Sequence, residues 1–416
     1  MTVGVASSSS GTLFGWWREA PSSARRALLA AGLGWMLDSF DVMLYSLVLA
    51  SLMSDLGIDK PTAGLLGSVT LIASAGGGLL FGVIADRFGR TKALMGSILT
   101  YSVFTAACGL SQSAAQLAVF RIFLGIGMGG EWASGASLVS ESWPREHRGK
   151  ALGMMQSAWA IGYGAAAIVT WLVLPRYGWR AVFFVGVIPA LLTMWIRRYV
   201  EEPEIWKARQ PTGESSFKQM FAPGMAGITT ALTIMNACTL FAWWGFNLWL
   251  PGFLALPVAQ GGVGLSTATM SGFVVAMQVG MWFGYVTFGF ISDALGRKRV
   301  YVTYLIVAAV LLFIYVSVRT PIVLLLLGPF VAFFATGYYS GFGAVTAEVY
   351  PTAIRATAQG FTYNIGRVAS AMAPYAVGSL AQTRGFSAAL SICSVAFLLA
   401  AFTWIWIPET RGRDLT

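Results

Sequence analysis

Five ionisable side chains lie inside long apolar stretches of this 416-residue sequence. A charged residue at the centre of a membrane-spanning helix costs about 3 kcal/mol on insertion scales, so such residues are kept for function or paired. Carboxylates at that depth can carry protons, and guanidinium groups can hold an anion or neutralise a carboxylate. The five residues are Asp38, Asp41, Arg121, Glu131 and Arg367.

Asp38 and Asp41 are three positions apart, which places both carboxylates on one face of a helix. They repel each other when both are charged, so the pair is suited to take up a proton, as proton coupling requires. The structural alternative is an ion pair that locks two helices together, for example between Asp38 and Arg121. The two roles are compatible.

Glu131 is a second candidate proton carrier. Ten residues of helix, about 15 Å, separate it from Arg121 and place it near mid-membrane. The glycines between these two residues fit the pattern G-x-G-x-x-G, but dinucleotide binding by that pattern needs a preceding strand and a following helix. Here the pattern lies within one apolar run, so we interpret it as close packing between membrane helices.

Arg367 is a natural anchor for a carboxylate, because a guanidinium group binds carboxylates through two parallel hydrogen bonds. The second half of the sequence has no acidic residue deep within a span, so Arg367 needs an anionic ligand or a partner such as Asp41 or Glu131. Further polar and aromatic side chains are candidates to line the path, although each alone is more often packing. They are Gln156, Trp159, Asn236, Trp243, Trp244, Asn247, Gln278, Tyr338, Tyr339 and Asn364.

Long apolar stretches must position these residues. The chain is 56% hydrophobic and 11% charged, which is typical of a membrane protein rather than of soluble domains. A helix needs about 20 mostly apolar residues to span a bilayer. The predicted spans are 28–52, 62–84, 93–111, 115–140, 150–174, 180–199, 224–250, 266–291, 299–318, 321–347, 357–382 and 386–407.

Two motifs recur with the same spacing, which indicates two homologous halves. The first, G-xxx-D-xx-G-R-x-[KR], begins at Gly82 and again 207 residues later at Gly289. The second begins at Glu141 and again, 207 residues later, at Glu348. We therefore predict four regions: a cytoplasmic tail at 1–27, a six-helix half at 28–199, a cytoplasmic linker at 200–223, and a second six-helix half with a short cytoplasmic tail at 224–416.

These motifs resemble the signature of the major facilitator superfamily, whose second motif, E-xx-P-xxx-R-G, corresponds to Glu141, Pro144, Arg148 and Gly149. In the second half, alanines stand at the positions of Gly149 and Arg87, which predicts weaker gating there. The resemblance implies an all-α membrane protein of twelve transmembrane helices in two pseudo-symmetric six-helix bundles. The gating contacts it implies involve Gly82, Asp86, Arg87, Gly89, Arg90, Glu141 and Arg148 in the first half, and Asp293, Gly296, Arg297, Glu348 and Arg355 in the second.

Within that superfamily, residues 34–41, 127–132 and 141–144 resemble the bacterial sialic-acid and organic-acid proton symporters. The related aromatic-acid symporters also have a D-x-x-D pair in their first helix. The resemblance implies symport of a small organic acid anion with H⁺ by alternating access. Some sialic-acid carriers have extra central helices, for which the linker here is too short. We therefore expect a smaller monocarboxylate such as lactate, with a sialic or aromatic acid as the alternatives.

The distribution of Lys and Arg predicts the orientation. With the N-terminus inside, 20 of them fall on the cytoplasmic side and 5 outside, so both termini are expected in the cytoplasm and the protein in a bacterial inner membrane. The basic residues lie in short turns between apolar runs, which argues against a nucleic-acid partner. We expect no cofactor and no metal, and we expect the chain to act as a monomer on its anion and H⁺ within the lipid bilayer.

Three other functions fit the sequence less well. A proton-driven drug or metabolite exporter of the same fold would favour cationic or neutral ligands, against which the two buried arginines argue. A nutrient sensor would need long signalling tails. A membrane enzyme would need a nucleophile and a base, and the only histidine, His147, lies in a predicted cytoplasmic turn.

Overall fold

The computed structural model describes residues 15–202, 220–350 and 355–411, in which helices form and no strand occurs. The first half contains α1 Gly15–Glu19, α2 Ser22–Leu56, α3 Lys60–Phe88, α4 Arg90–Cys108, α5 Ala114–Ser142, α6 Arg145–Val185 and α7 Ala190–Tyr199. The second half contains α8 Ala226–Ala255, α9 Thr267–Leu295, α10 Arg297–Ser317, α11 Pro321–Gly337, α12 Tyr339–Val349, α13 Arg355–Ser370 and α14 Ala373–Thr403. Most of the predicted linker and parts of both predicted tails lie outside the described residues.

Eight segments of the described chain are long and apolar enough to cross a membrane. Two of them, Gly149–Tyr199 and Gly360–Thr403, are 51 and 44 residues long, which is enough for two crossings each at about 20 residues a crossing. Gly178 and Gly385 interrupt these long segments with φ angles of 74° and 78°, outside the helical range. Because α4 and α5 are helical over the third and fourth predicted spans, the described residues account for twelve crossings. The predicted twelve-helix, all-α membrane fold is confirmed.

The repeated motif makes one tight turn in each half. Gly89 and Gly296 follow α3 and α9 with φ angles of 117° and 100°, a backbone conformation that favours glycine. The next helix begins at the following residue, so the chain reverses with no loop between the two helices. We call the end of the molecule that contains these turns the motif end. At the opposite end, Ser113 and Ser266 cap α5 and α9 by accepting backbone hydrogen bonds.

The helices of the two halves pack in corresponding ways. In the first half α3 and α4 pack on α5 and α2 packs on α6, while in the second α9 and α10 pack on α11 and α8 packs on α13 and α14. Between the halves, α6 packs on α9, α3 on α14 and α2 on α8. This interface between the halves contains the cavity described below.

Candidate transport site

The first half brings its three buried carboxylates together. Asp38 and Asp41 are each 1% exposed, and Glu131 is fully buried. Both oxygens of Asp41, both oxygens of Glu131 and one oxygen of Asp38 have no hydrogen-bond partner in the described part of the chain. Asp38 interacts electrostatically with both of the other carboxylates, so the three lie in one region. Three carboxylates in one desolvated region are stable only if protons or cations compensate them.

Gly34 and Gly186 allow this arrangement because each leaves room for a carboxylate. A Cβ atom on Gly34, one turn before Asp38, would lie 2.5 Å from Oε1 of Glu131. A Cβ atom on Gly186 would lie 3.0 Å from Oδ1 of Asp41. Glycine at these positions therefore keeps α2 close to its neighbours while the carboxylates stay inside.

Arg121 does not form the ion pair with Asp38 that the sequence allowed. Its guanidinium carbon lies 3.6 Å from the centroid of the Tyr45 ring, and its Nε donates a 3.1 Å hydrogen bond to the carbonyl oxygen of Leu66. Tyr45 follows Asp38 by seven residues, about 10 Å along the helix, so Arg121 lies toward the opposite end. Its Nη1 has no partner among the described residues, although the side chain is only 1% exposed.

A small cavity lies between the halves, with a volume of about 30 Å³. That volume holds one or two water molecules but no organic acid, so side chains must move for a substrate to enter. The sequence singled out six of its lining residues as candidates, namely Gln156, Trp159, Trp243, Trp244, Tyr339 and Arg367. The full lining is Trp35, Gln156, Trp159, Leu240, Trp243, Trp244, Tyr285, Tyr339, Tyr363 and Arg367.

Several N–H groups at this cavity lack a partner. Nε of Arg367 and the indole nitrogens of Trp35, Trp159 and Trp243 make no hydrogen bond within the described ranges. All four side chains are at most 5% exposed. Such groups are donors only, so the chemistry of the cavity fits a ligand that accepts hydrogen bonds, and the Arg367 charge fits an anion.

Arg367 has no carboxylate in contact among the residues described. Its guanidinium carbon lies 5.9 Å from the centroid of the Tyr363 ring. The charge of Arg367 acts on Asp38, and no ion pair joins it to Asp41 or Glu131 in the described chain. Arg367 therefore lines the cavity from the second half and interacts electrostatically with Asp38 of the first half.

Other predicted path residues lie away from the cavity. Asn247 and Asn364 donate to backbone carbonyls of their own helices, at 3.0 Å and 2.9 Å. Asn236 packs against Gly366, and the ring of Tyr338 packs on the ring of Tyr339. Gln278 lies beside Gly164 on the interface between α6 and α9.

The two halves are in direct contact at the opposite end. A Cβ atom on Gly64 would overlap the carbonyl oxygen of Pro374, so α3 and α14 pack backbone to backbone. Nζ of Lys60 donates a 2.9 Å hydrogen bond to the carbonyl oxygen of Gln260. Closer to the cavity, the Tyr163 hydroxyl donates a 3.2 Å hydrogen bond to the carbonyl oxygen of Asn247. These contacts close the cavity on that side.

On the motif side, an aromatic pair crosses the interface. The ring of Trp132 stacks on the ring of Tyr363, with centroids 4.8 Å apart and planes at 16°. Trp132 follows Glu131 directly, and Tyr363 lies one turn before Arg367. The pair therefore lies on the motif side of Arg367, across the interface between the halves.

The two motif turns contain equivalent ion pairs. Nη2 of Arg90 lies 3.0 Å from Oε1 of Glu141, and Nη2 of Arg297 lies 3.2 Å from Oε1 of Glu348. Arg297 also pairs with Asp293 at 2.6 Å. Arg90 thus holds its turn to the end of α5, and Arg297 holds its turn to the end of α12. Among the other gating candidates, Gly82 has open space around it and Arg87 is exposed, while the side chains of Asp86, Arg148 and Arg355 lie outside the described residues.

A second carboxylate at each turn is a feature that the sequence interpretation missed. Glu202 accepts hydrogen bonds from the backbone N–H groups of Arg90 and Thr91, at 2.7 Å and 3.1 Å. In the second half, Glu409 accepts the equivalent hydrogen bonds from the backbone N–H groups of Arg297 and Lys298, at 2.9 Å and 3.1 Å. Glu202 falls within the predicted linker at 200–223. The sequence did contain a signal for this pair, because Glu409 lies 207 residues after Glu202, the same spacing as in the two repeated motifs.

Comparison with known proteins agrees with the fold in indicating a membrane transporter. A family model described as Major Facilitator Superfamily matches residues 31–258 and 253–415. The cis,cis-muconate transport protein of Acinetobacter baylyi is 32% identical over 382 residues, covering 90% of this chain and 91% of that protein. The sialic acid transporter of Escherichia coli is 32% identical over 386 residues, covering 92% of this chain and 93% of that protein.

Among solved structures, a D-xylose–proton symporter matches with a TM-score of 0.77 and 22% sequence identity, over 95% of this chain and all of that one. At that identity the match shows a shared fold. The relatives are transporters and not enzymes, which confirms the prediction of a transporter. By sequence and by fold, this chain belongs to the major facilitator superfamily of membrane transporters.

Proposed function

We propose that this transporter moves a small organic acid anion together with protons by alternating access. The observation that carries the proposal is the pairing of two buried features across one interface. On one side, Arg367 and three tryptophans line the cavity, and Nε of Arg367 and the three indole N–H groups have no hydrogen-bond partner in the described part of the chain. On the other, Asp38, Asp41 and Glu131 are buried without cations in contact among the described residues.

The carboxylate of the substrate would bind at Arg367. A guanidinium group offers two parallel N–H bonds to a carboxylate, and the indole N–H groups would provide further donors. The two relatives above are named for muconate and sialic acid, both of which are carboxylates. Lactate, an aromatic acid and a sialic acid are the members of this class to compare, and we favour a short monocarboxylate such as lactate.

Asp38 would link the anion to the proton. Its ionised carboxylate and a substrate carboxylate compete for the same positive charge, since Arg367 acts on Asp38 across the interface. When the anion binds Arg367, an ionised Asp38 loses that compensation and takes up a proton. When the anion leaves, Asp38 can ionise again beside Arg367. Asp41 and Glu131 would pass the proton along the first half.

We place the motif end in the cytoplasm, because most Lys and Arg residues of the turns fall on that side. The contacts at the opposite end, including the Lys60 bond to Gln260, then close the site from the outside. Trp132 and Tyr363 form the partition toward the cytoplasm. The ion pairs of Arg90 and Arg297 would hold the motif turns while the halves rock. One chain contains the whole site, which supports action as a monomer in the inner membrane.

A ligand screen by thermal unfolding tests the proposed substrate class. A ligand at 100 times its Kd stabilises the folded state by about 2.7 kcal/mol. We expect one or more of lactate, benzoate and N-acetylneuraminate to raise the unfolding temperature, and simple amines to leave it unchanged. Arg367→Ala should abolish the effect, while Arg384→Ala, at an exposed arginine of the same half, should keep it. Stabilisation by amines alone would instead support a cation exporter of the same fold.

A further inference from the structure

Tyr101 lies on α4 and contacts both α2 and α5. The side chain is fully buried, and its hydroxyl donates a 3.2 Å hydrogen bond to the carbonyl oxygen of Gly34. Oε1 of Glu131 packs against the same glycine, where a Cβ atom would lie only 2.5 Å from it. The Tyr101 hydroxyl and the Glu131 carboxyl therefore meet at one residue, one turn before Asp38.

The same face of α4 reaches the second carboxylate of α2. Thr105 follows Tyr101 by one turn, so the two hydroxyls lie on one face of the helix. A Cβ atom on Gly186 would lie 2.9 Å from Cβ of Thr105 and 3.0 Å from Oδ1 of Asp41. The polar face of α4 thus follows the carboxylates of α2 from Asp38 to Asp41.

We propose that Tyr101 is the hydroxyl through which a proton passes between Glu131 and the Asp38–Asp41 pair. The proposal rests on the proposed function of these carboxylates as proton carriers. The phenol oxygen accepts the proton of one neutral carboxyl while the phenol hydrogen moves to the next carboxylate. One carboxyl loses a proton, another gains one, and the phenol ends unchanged. The Gly34 carbonyl holds the hydroxyl in place between transfers.

The charged and titratable groups around this hydroxyl are few in the described chain. Those acting directly on it are Asp38, Glu131 and Asp41. The charge of Arg367, on α13, interacts with Asp38. Cys108 interacts electrostatically with Asp41 and with Arg121. No lysine, arginine or histidine of the described residues acts directly on Tyr101.

The second half provides a matched control. The position 207 residues after Tyr101 is Ala308, and none of the equivalents of Asp38, Asp41 and Glu131 is a carboxylate: they are Gly245, Leu248 and Tyr338. Tyr304, on the equivalent helix α10, is 3% exposed and has no carboxylate acting on it. Tyr304→Phe therefore removes a buried hydroxyl on the equivalent helix without touching the carboxylates.

Infrared titration of the reconstituted protein tests the proposal without a substrate. The C=O band of protonated carboxyl groups is followed from about pH 5 to about pH 9, which spans the range of shifted carboxyl groups. We expect Tyr101→Phe to change the band position and to move its midpoint by about one pH unit or more. Glu131→Gln should remove part of the band, and Tyr304→Phe should leave the titration unchanged. Wild-type and Tyr101→Phe curves that superimpose would overturn the proposal.

A transport measurement separates this proposal from the proposed function. Uptake of labelled lactate, benzoate or N-acetylneuraminate is driven by a pH gradient and compared with exchange at equal pH on both sides. We expect Tyr101→Phe to lower gradient-driven uptake about tenfold or more and to leave exchange within about twofold. Equal loss of both rates would mean a structural role and would contradict the relay. A shifted titration in a protein that transports none of the three acids would contradict the proposed function and leave the relay standing.

Discussion

The ring of Trp132 in the first half stacks on the ring of Tyr363 in the second, with centroids 4.8 Å apart. We infer that this pair is the partition between the cavity and the motif end, because one partner follows Glu131 and the other precedes Arg367. The opposite end is closed by backbone packing between α3 and α14. One side of the cavity is thus closed by an aromatic pair and the other by tightly packed helices.

Trp132→Ala should open the cavity toward the motif end. A stacked pair contributes about 1 kcal/mol beyond its buried area, which is about fivefold in an equilibrium constant. We expect a Gln156→Cys reporter, in a background without the three native cysteines, to react about fivefold faster with a membrane-permeant thiol reagent. Phe123→Ala is the control, since Phe123 stacks on Phe104 within one half. Equal rates in the parent and Trp132→Ala would show that the pair does not close the cavity.

Arg367→Lys should weaken substrate binding while keeping the positive charge. Lysine lacks the planar fork that gives two parallel bonds to a carboxylate, and one lost charge-assisted bond costs about 1.5–3 kcal/mol. We expect KM for the transported acid to rise at least about tenfold. Arg384→Lys, at an exposed position, should change KM little. An unchanged KM in Arg367→Lys would move the carboxylate site elsewhere.

Gly34→Ala should destabilise the protein more than a neighbouring substitution. The new Cβ atom would lie 2.5 Å from Oε1 of Glu131, and overpacking of a buried site costs about 1–3 kcal/mol. Gly32→Ala is a close control on the same helix, because a Cβ atom there has no neighbour within 4 Å. Thermal unfolding in detergent should therefore show a lower unfolding temperature for Gly34→Ala only. Equal unfolding temperatures would mean that Glu131 moves away without cost.

The turn at Arg297 should loosen in acid. Burial alone would raise the pKa of Glu409, but hydrogen bonds from the backbone N–H groups of Arg411, Arg297, Lys298 and Thr410 outweigh it and lower the pKa. A carboxyl with a depressed pKa stabilises the fold above its unfolded value, about 4.3 for Glu, and this contribution is lost as pH falls through the folded value.

Amide hydrogen exchange measures that effect. Relative to intrinsic rates, the amides of Arg297 and Lys298 should lose protection as pH falls below about 4. Glu409→Gln should show reduced protection already at neutral pH. Glu201→Gln, at an exposed residue of the first half, should behave as wild type. Full protection in Glu409→Gln would show that the carboxylate does not hold the turn.

Much of the fold follows from patterns that sequence alone shows. Apolar length determines the spans, and the shared spacing of Gly82 and Gly289 indicates the repeat. The same spacing was available for Glu202 and Glu409 but was not used. The cost of burying a charge singled out Arg367, which does line the cavity.

The contacts between helices inside the bundle were harder to predict from the sequence. Whether Arg121 meets Asp38 or Tyr45 depends on the rotation of α5 against α2, which no spacing within α5 encodes. Tyr101 carries no charge, so the insertion cost that identifies buried acids gave no signal for it. Asn247 and Asn364 satisfy their side chains on their own helices, an option that any helical asparagine has.

Coupled movement of acid and protons in liposomes tests the central claim most directly. Vesicles that contain a pH-sensitive dye and purified protein are given the acid identified by the ligand screen, with protein-free vesicles as the control for passive entry of neutral acid. Wild type should acidify the lumen beyond the protein-free rate and accumulate labelled acid along an inward proton gradient. Asp41→Asn should lose both effects, and Asp59→Asn, which keeps a good helix cap at an exposed site, should retain them. Acid uptake by wild type and Asp41→Asn that is equal and independent of the gradient would contradict the account.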